Sequence, residues 1–122
     1  MIEKLEHNQI FVFGSNLAGV HGKGAAKTAR DKFGAEYGVG EGLTGQCYAF
    51  PTLDENRKQL DEVNLLTSIE NLISCAEEHP DLTFILTEVG CGLAGYTKVY
   101  IRSLFAQFAL PFNIKPYKSW LD

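Results

Sequence analysis

The stretch from Ile10 to Arg30 constrains this chain most. It reads Ile-Phe-Val-Phe-Gly-Ser-Asn-Leu-Ala-Gly-Val-His-Gly-Lys-Gly-Ala-Ala-Lys-Thr-Ala-Arg. The apolar run from Ile10 to Phe13 is too short for a helix, and its branched and aromatic side chains suit a buried strand. Gly14, Gly19, Gly22 and Gly24 then break any regular period, and Ala25 to Arg30 favour a helix. A strand, a glycine-rich turn and a helix start leave unpaired N–H groups at the positive end of a helix dipole, with little side-chain bulk to hold a ligand off. The guest that suits this junction is an anion, and a phosphate above all.

The rest of the chain repeats the alternation. A first helix ends near Phe33-Gly34, and Ala35 to Gln46, with four glycines and no period, reads as a surface loop. Gln46 to Phe50 predicts a second strand stopped by Pro51, with a polar segment from there to Leu60. Val63, Leu65, Leu66, Ile69, Leu72, Ile73 and Ala76 fall at helical spacing and make one apolar stripe that ends before Pro80. Leu82 to Val89 is nearly continuous in apolar character, as a strand covered on both faces should be. A second glycine turn comes directly after it, Gly90-Cys91-Gly92-Leu93-Ala94-Gly95. A helix carrying Val99, Ile101, Leu104, Phe105 and Phe108 comes next, then a last strand at Phe112 to Ile114 and a tail with Pro116 and Trp120.

The order β-α-β-α-β-α-β predicts an α/β domain over residues 1–122: a mostly parallel sheet with helices on both faces. In such a sheet ligands bind beyond the carboxyl ends of the strands. Both glycine turns come after strands, so both belong on one rim and border one cleft.

Composition excludes several classes. A formal charge of −4 argues against extended nucleic-acid binding, which relies on clustered Lys and Arg. No apolar run reaches the length of a membrane span, and residues 1–6 have no signal core, so a cytoplasmic protein without a membrane partner is expected. Cys47, Cys75 and Cys91 are odd in number and lack a CxxC pair, which predicts free thiols and no zinc site.

Two phosphate motifs fail on spacing. Gly14 and Gly19 match the glycines of a P-loop, but Val20 and His21 stand where its Lys and hydroxyl belong. Gly90, Gly92 and Gly95 match the dinucleotide fingerprint GxGxxG. About twenty positions on, where an acidic residue should hold the ribose, the chain has Asn113, Ile114 and Lys115. No cofactor is expected on these grounds.

A third pattern fits over most of the chain, from about Ile10 to Phe108. Asn16 at a strand end, the turn Gly22-Lys23-Gly24-Ala25-Ala26 into a helix ending Lys32-Phe33-Gly34, and the turn Val89 to Gly95 together resemble the two ligand loops of macrodomains, the ADP-ribose-binding fold. The branch they resemble contains terminal ADP-ribose protein glycohydrolase and ADP-ribose-1″-phosphate phosphatases. Stand-alone proteins similar to this occur in bacteria and their viruses. The resemblance implies a three-layer α/β/α fold. It also implies a ligand of the ADP-ribose type, free or attached to a macromolecule. The contacts it implies come from Gly14, Ser15, Asn16, Gly19, Val20, Gly22, Lys23, Gly24 and Ala25 in the first loop and from Pro51 and Thr52 after the second strand. Gly90, Cys91, Gly92, Leu93, Ala94, Gly95 and Tyr96 complete the set.

The chain departs from the family at defined places. None of the nine residues before Ile10 forms the Gly-Asp-Ile/Leu segment whose Asp meets the adenine in macrodomains. Thr52-Leu53-Asp54 and Ala94 stand where the glycohydrolase branch has its Lys and Asp, so hydrolysis by that route is not expected. Three readings remain: a binder or reader without turnover, a hydrolase of ADP-ribosyl conjugates or of ADP-ribose 1″-phosphate with water oriented by Asn16 and His21, and an assembly protein with a degenerate site. The individual residues keep two readings each. Asn16 either binds or turns the backbone, and His21 is either an acid–base group or an exposed loop residue. Lys23 pairs with a phosphate or points to water, Cys91 is an activated thiolate or a small packing residue, and Tyr96 meets the ligand or simply begins a helix.

Overall fold

A computed structural model describes residues 2–121. In chain order its elements are β1 (Gln9–Asn16), α1 (Gly24–Phe33), β2 (Gly42–Thr44), β3 (Cys47–Leu53), α2 (Glu62–Glu78), β4 (Thr83–Leu86), α3 (Lys98–Phe105), β5 (Ile114–Pro116) and a C-terminal 3-10 turn at Lys118–Leu121. The five strands form one sheet in the order β2-β3-β1-β4-β5. β1 runs parallel to both β3 and β4, and β5 parallel to β4, while β2 is antiparallel to β3.

Side chains alternate across a strand, and β1 shows what that alternation buries. Ile10 and Val12 join Leu65, Ile69 and Leu72 of α2 and Ile101 and Leu104 of α3 in one core cluster. Phe11 and Phe13 join Ala26, Ala29 and Phe33 of α1 in a second. Parallel strands covered on both faces need near-continuous apolar sequence, which explains why Ile10 to Phe13 has no polar position.

Four sequence expectations change. Residues 35–46 are not all loop, because Gly42–Thr44 pairs with Cys47–Ala49 as an antiparallel edge. β3 does not stop at Pro51 but continues to Leu53 beside β1. β2 reaches only as far as Ala49, so the flank of β3 at Pro51 is open, where a residue without N–H is tolerated. β4 ends at Leu86 rather than Val89, and residues 87–90 turn out of the sheet toward the second glycine loop. The last strand is Ile114–Pro116, not Phe112 to Ile114; Phe112 is 72% exposed.

The helices keep their expected places with narrower stripes. Leu65, Ile69, Leu72 and Ala76 of α2 are buried, but Val63 is 71% exposed. On α3, Ile101, Leu104 and Phe105 are buried, Val99 is exposed, and Phe108 lies beyond the last helical residue. Among the described residues no helix is long and apolar enough to cross a membrane.

Candidate ligand cleft

β1, β3 and β4 run parallel, so their carboxyl ends share one rim. A cleft of about 930 Å³ opens there. Gly14, Ser15 and Asn16 line it from the end of β1, and Thr52 and Leu53 from the end of β3. Val20 and Gly22 to Ala25 contribute one loop, Gly90 to Ala94 the other. The loops draw together where a Cβ on Gly24 would sit 3.8 Å from Leu93 Cδ1.

The start of α1 differs from the other two helix starts. Asp61 caps α2 by accepting from the Asn64 N–H at 3.0 Å, and Thr97 caps α3 by accepting from the Tyr100 N–H at 3.1 Å. Lys23 precedes α1 in extended conformation with no side-chain cap, and the first turn holds no acidic residue. The first-turn N–H groups of a helix have no acceptor within it. Those of α1 therefore open toward the cleft that Gly22 to Ala26 line. Neither Lys23 nor Arg57, the cations flanking this rim, has an ion-pair partner among the described residues.

Glycine is required where the loops touch the sheet. Gly90 has φ +80°, and a Cβ there would meet the Tyr96 ring at 3.0 Å and the Thr52 methyl at 3.3 Å. A Cβ on Gly14 would stand 3.2 Å from the Gly90 nitrogen. At Gly22 and Gly92, by contrast, a Cβ would meet nothing within 4 Å. These two present bare backbone to open space in the cleft.

The polar side chains of the floor hold the strand ends together. Ser15 Oγ donates to the Gly40 carbonyl at 2.5 Å, and Thr52 Oγ1 donates to the Ser15 carbonyl at 3.3 Å. Thr87 Oγ1 donates to the Val12 carbonyl at 2.6 Å. Asn16 Nδ2 donates to the Val20 carbonyl and Oδ1 accepts from the Val20 N–H, each at 3.0 Å, so the turn that begins this loop is closed by one side chain.

Five expected site residues lie off the cleft wall. Gly19 packs on Gly38, where a Cβ would collide with the Gly38 backbone. His21 is neither an exposed loop residue nor a group facing the cleft: it is fully buried, with Nε2 3.2 Å from the Val39 carbonyl and its ring edge-on to Phe13 and Tyr37. Among the described residues Nδ1 has no partner, and burial holds the imidazole below its usual pKa of 6.5. Pro51 is buried within β3, where its carbonyl accepts from Ser68 Oγ at 3.0 Å. Gly95 lies beside Gln59. Tyr96 turns away, stacking on Tyr100 while its hydroxyl donates to the Leu60 carbonyl.

Cys91 lines the cleft without being activated. Burial first, then the Glu88 carboxylate, pushes its thiol up rather than down, and the start of α3, which would lower it, comes only at Lys98. Among the described residues no group of three His, Cys, Asp or Glu side chains could hold a metal.

Sequence reasoning missed part of the wall: Arg57, Thr87, Glu88, Lys98, Tyr117 and Ser119. Thr87 and Glu88 carried a signal, since they directly precede the second glycine turn. Arg57 sits at φ +62°, the one positive-φ non-glycine among the described residues. Its turn is fastened by Asp54 Oδ1, which accepts from the Asn56 and Lys58 N–H groups at 2.8 and 2.9 Å.

Comparison with protein-family models, with curated proteins and with solved structures finds no match to this chain.

Proposed function

We propose that the cleft binds ADP-ribose or a related nucleotide diphosphate through its two glycine-rich loops, within a macrodomain-like three-layer α/β/α arrangement, and that the protein acts as a reader of such ligands. The observation that carries this reading is the uncapped start of α1, with no acid in its first turn, opening on a cleft of about 930 Å³ beside Gly90 to Ala94. Oriented N–H groups at a helix start favour a phosphate. Bare backbone at Gly22 and Gly92 lets it approach closely. The cleft volume falls in the range of small-molecule sites, on the order of 300–1,000 Å³.

Binding is favoured over turnover by where the reactive groups lie. His21 is buried off the cleft, the amide of Asn16 is committed to Val20, and burial and Glu88 push the Cys91 thiol pKa up. An assembly protein with a degenerate site is disfavoured because the cleft is open.

Thermal denaturation with ADP-ribose, ADP, NAD and RNA 5′ ends tests the reading. A ligand at about 100 times its Kd stabilises by about 2.7 kcal/mol, enough to raise Tm by several degrees. We expect that shift with ADP-ribose and no release of ADP-ribose or phosphate from conjugates or from ADP-ribose 1″-phosphate. Unchanged Tm with every ligand would remove the reading, and turnover would replace the reader with the hydrolase.

A further inference from the structure

Charge is unevenly placed around the cleft. Among the described residues that line it, Lys23, Arg57 and Lys98 are cationic and Glu88 is the one carboxylate. A carboxylate in an anion-binding cleft opposes binding unless the part of the ligand next to it is neutral and can donate. Glu88 is also not free to swing out. Ser119 Oγ donates to its carboxylate, and Lys98 Nζ donates to the Ser119 carbonyl at 2.9 Å. The 3-10 turn that carries Ser119 is itself fastened to the end of β4, where the Leu86 carbonyl accepts from the Tyr117 N–H at 2.8 Å and from Trp120 Nε1 at 2.9 Å. A chain segment 31 residues further on thus fixes the carboxylate in the cleft wall.

We infer that Glu88, positioned by Ser119, determines which phosphate ligands the cleft accepts: it takes hydrogen bonds from a neutral hydroxyl- or amine-bearing group flanking the diphosphate and repels a further phosphate at that end. The inference rests on the nucleotide-diphosphate reading and sharpens it. ADP-ribose has a donor-bearing sugar on both sides of its diphosphate, so it satisfies Glu88 in either direction. Inorganic triphosphate offers a third phosphate there and no donor. Among the described residues one carboxylate oxygen is engaged, by Ser119, and a carboxylate has a second oxygen that can accept. Ser119, itself in the cleft wall, is a positioning residue whose hydroxyl holds the Glu88 carboxylate.

Calorimetric titration of the full chain with ADP-ribose and with inorganic triphosphate tests this at fixed ionic strength. Wild type should prefer ADP-ribose. Glu88→Gln should weaken ADP-ribose by roughly tenfold, the difference between a charged and a neutral acceptor, and should tighten triphosphate, reversing or erasing the preference. Ser119→Ala should shift the same ratio in the same direction by a smaller factor. Equal changes for both ligands, or an unchanged ratio in a folded Glu88→Gln protein, would overturn the inference while leaving the binding reading intact. A wild-type protein that binds neither ligand would overturn both.

Discussion

Asn16 holds the Val20 backbone at both ends, its Nδ2 donating to the Val20 carbonyl and its Oδ1 accepting from the Val20 N–H, each at 3.0 Å. The turn so closed leads into the loop whose residues Gly22 to Ala25 line the cleft. Asn16→Ala removes both hydrogen bonds and should cost about 1–3 kcal/mol. Loosening the loop should also weaken ligand binding. Urea denaturation and a ligand titration on the same protein read the two effects; full stability in Asn16→Ala would mean that the side chain does not secure the turn.

His21 gives stability a pH dependence with a definite sign. Burial, with a smaller contribution from Arg30, lowers its pKa below 6.5, while the Val39 carbonyl opposes the shift. The unfolded chain therefore binds the proton more readily than the folded one. The stabilisation is complete above the unfolded pKa and is lost as pH falls below it, toward the folded pKa. Wild type should lose stability as pH falls below about 6.5, and His21→Phe, which cannot titrate, should lose less. Equal pH slopes in the two proteins would exclude His21 as the source.

Two glycine substitutions should separate stability from binding. Gly90→Ala forces a Cβ at φ +80° against the Tyr96 ring and the Thr52 methyl, at a cost of roughly 1–3 kcal/mol. Gly22→Ala meets no neighbour within 4 Å. Its stability should stay within about 0.5 kcal/mol of wild type while its affinity falls, because the methyl stands where the ligand must approach. If Gly22→Ala binds as wild type does, close backbone approach at that loop is wrong.

Asn113 ties the end of α2 to the sheet. Its buried Nδ2 lies 2.9 Å from the Ala76 carbonyl and 3.0 Å from those of His79 and Leu82, so two amide hydrogens serve three acceptors. Asn113→Ala takes the amide from the Leu82 carbonyl, while the Ala76 and His79 carbonyls still accept from the His79 and Leu82 N–H groups at 3.2 and 3.0 Å, and should destabilise by about 1–2 kcal/mol, measured as a lowered urea midpoint. A shift much smaller than that would mean water replaces the amide.

Local chemistry explains which parts of this architecture are readable from the chain. Ile10 to Phe13 announce a strand buried on both faces, and the Leu65, Ile69, Leu72, Ala76 spacing announces α2, because each is a burial pattern carried by nearby residues. β2 carries no such pattern. Gly42, Leu43 and Thr44 include one apolar side chain, which is 38% exposed, and the strand exists because β3 offers it an edge. The neighbours of His21 in sequence do not place it, since what buries it is Val39 and Tyr37 from another loop. The glycine loops are legible because glycine is a local signal for close approach. Glu88 and Ser119 meet across 31 residues through the C-terminal turn, and no local pattern encodes that contact.

The measurement that bears most directly on the central claim is calorimetric titration of wild type and Gly22→Ala with ADP-ribose. The cleft at the open start of α1 predicts saturable binding of one ligand per chain, weakened about tenfold or more by the added methyl in a protein of unchanged stability. No binding to folded wild type at millimolar ADP-ribose, or equal affinity in the two proteins, would contradict it.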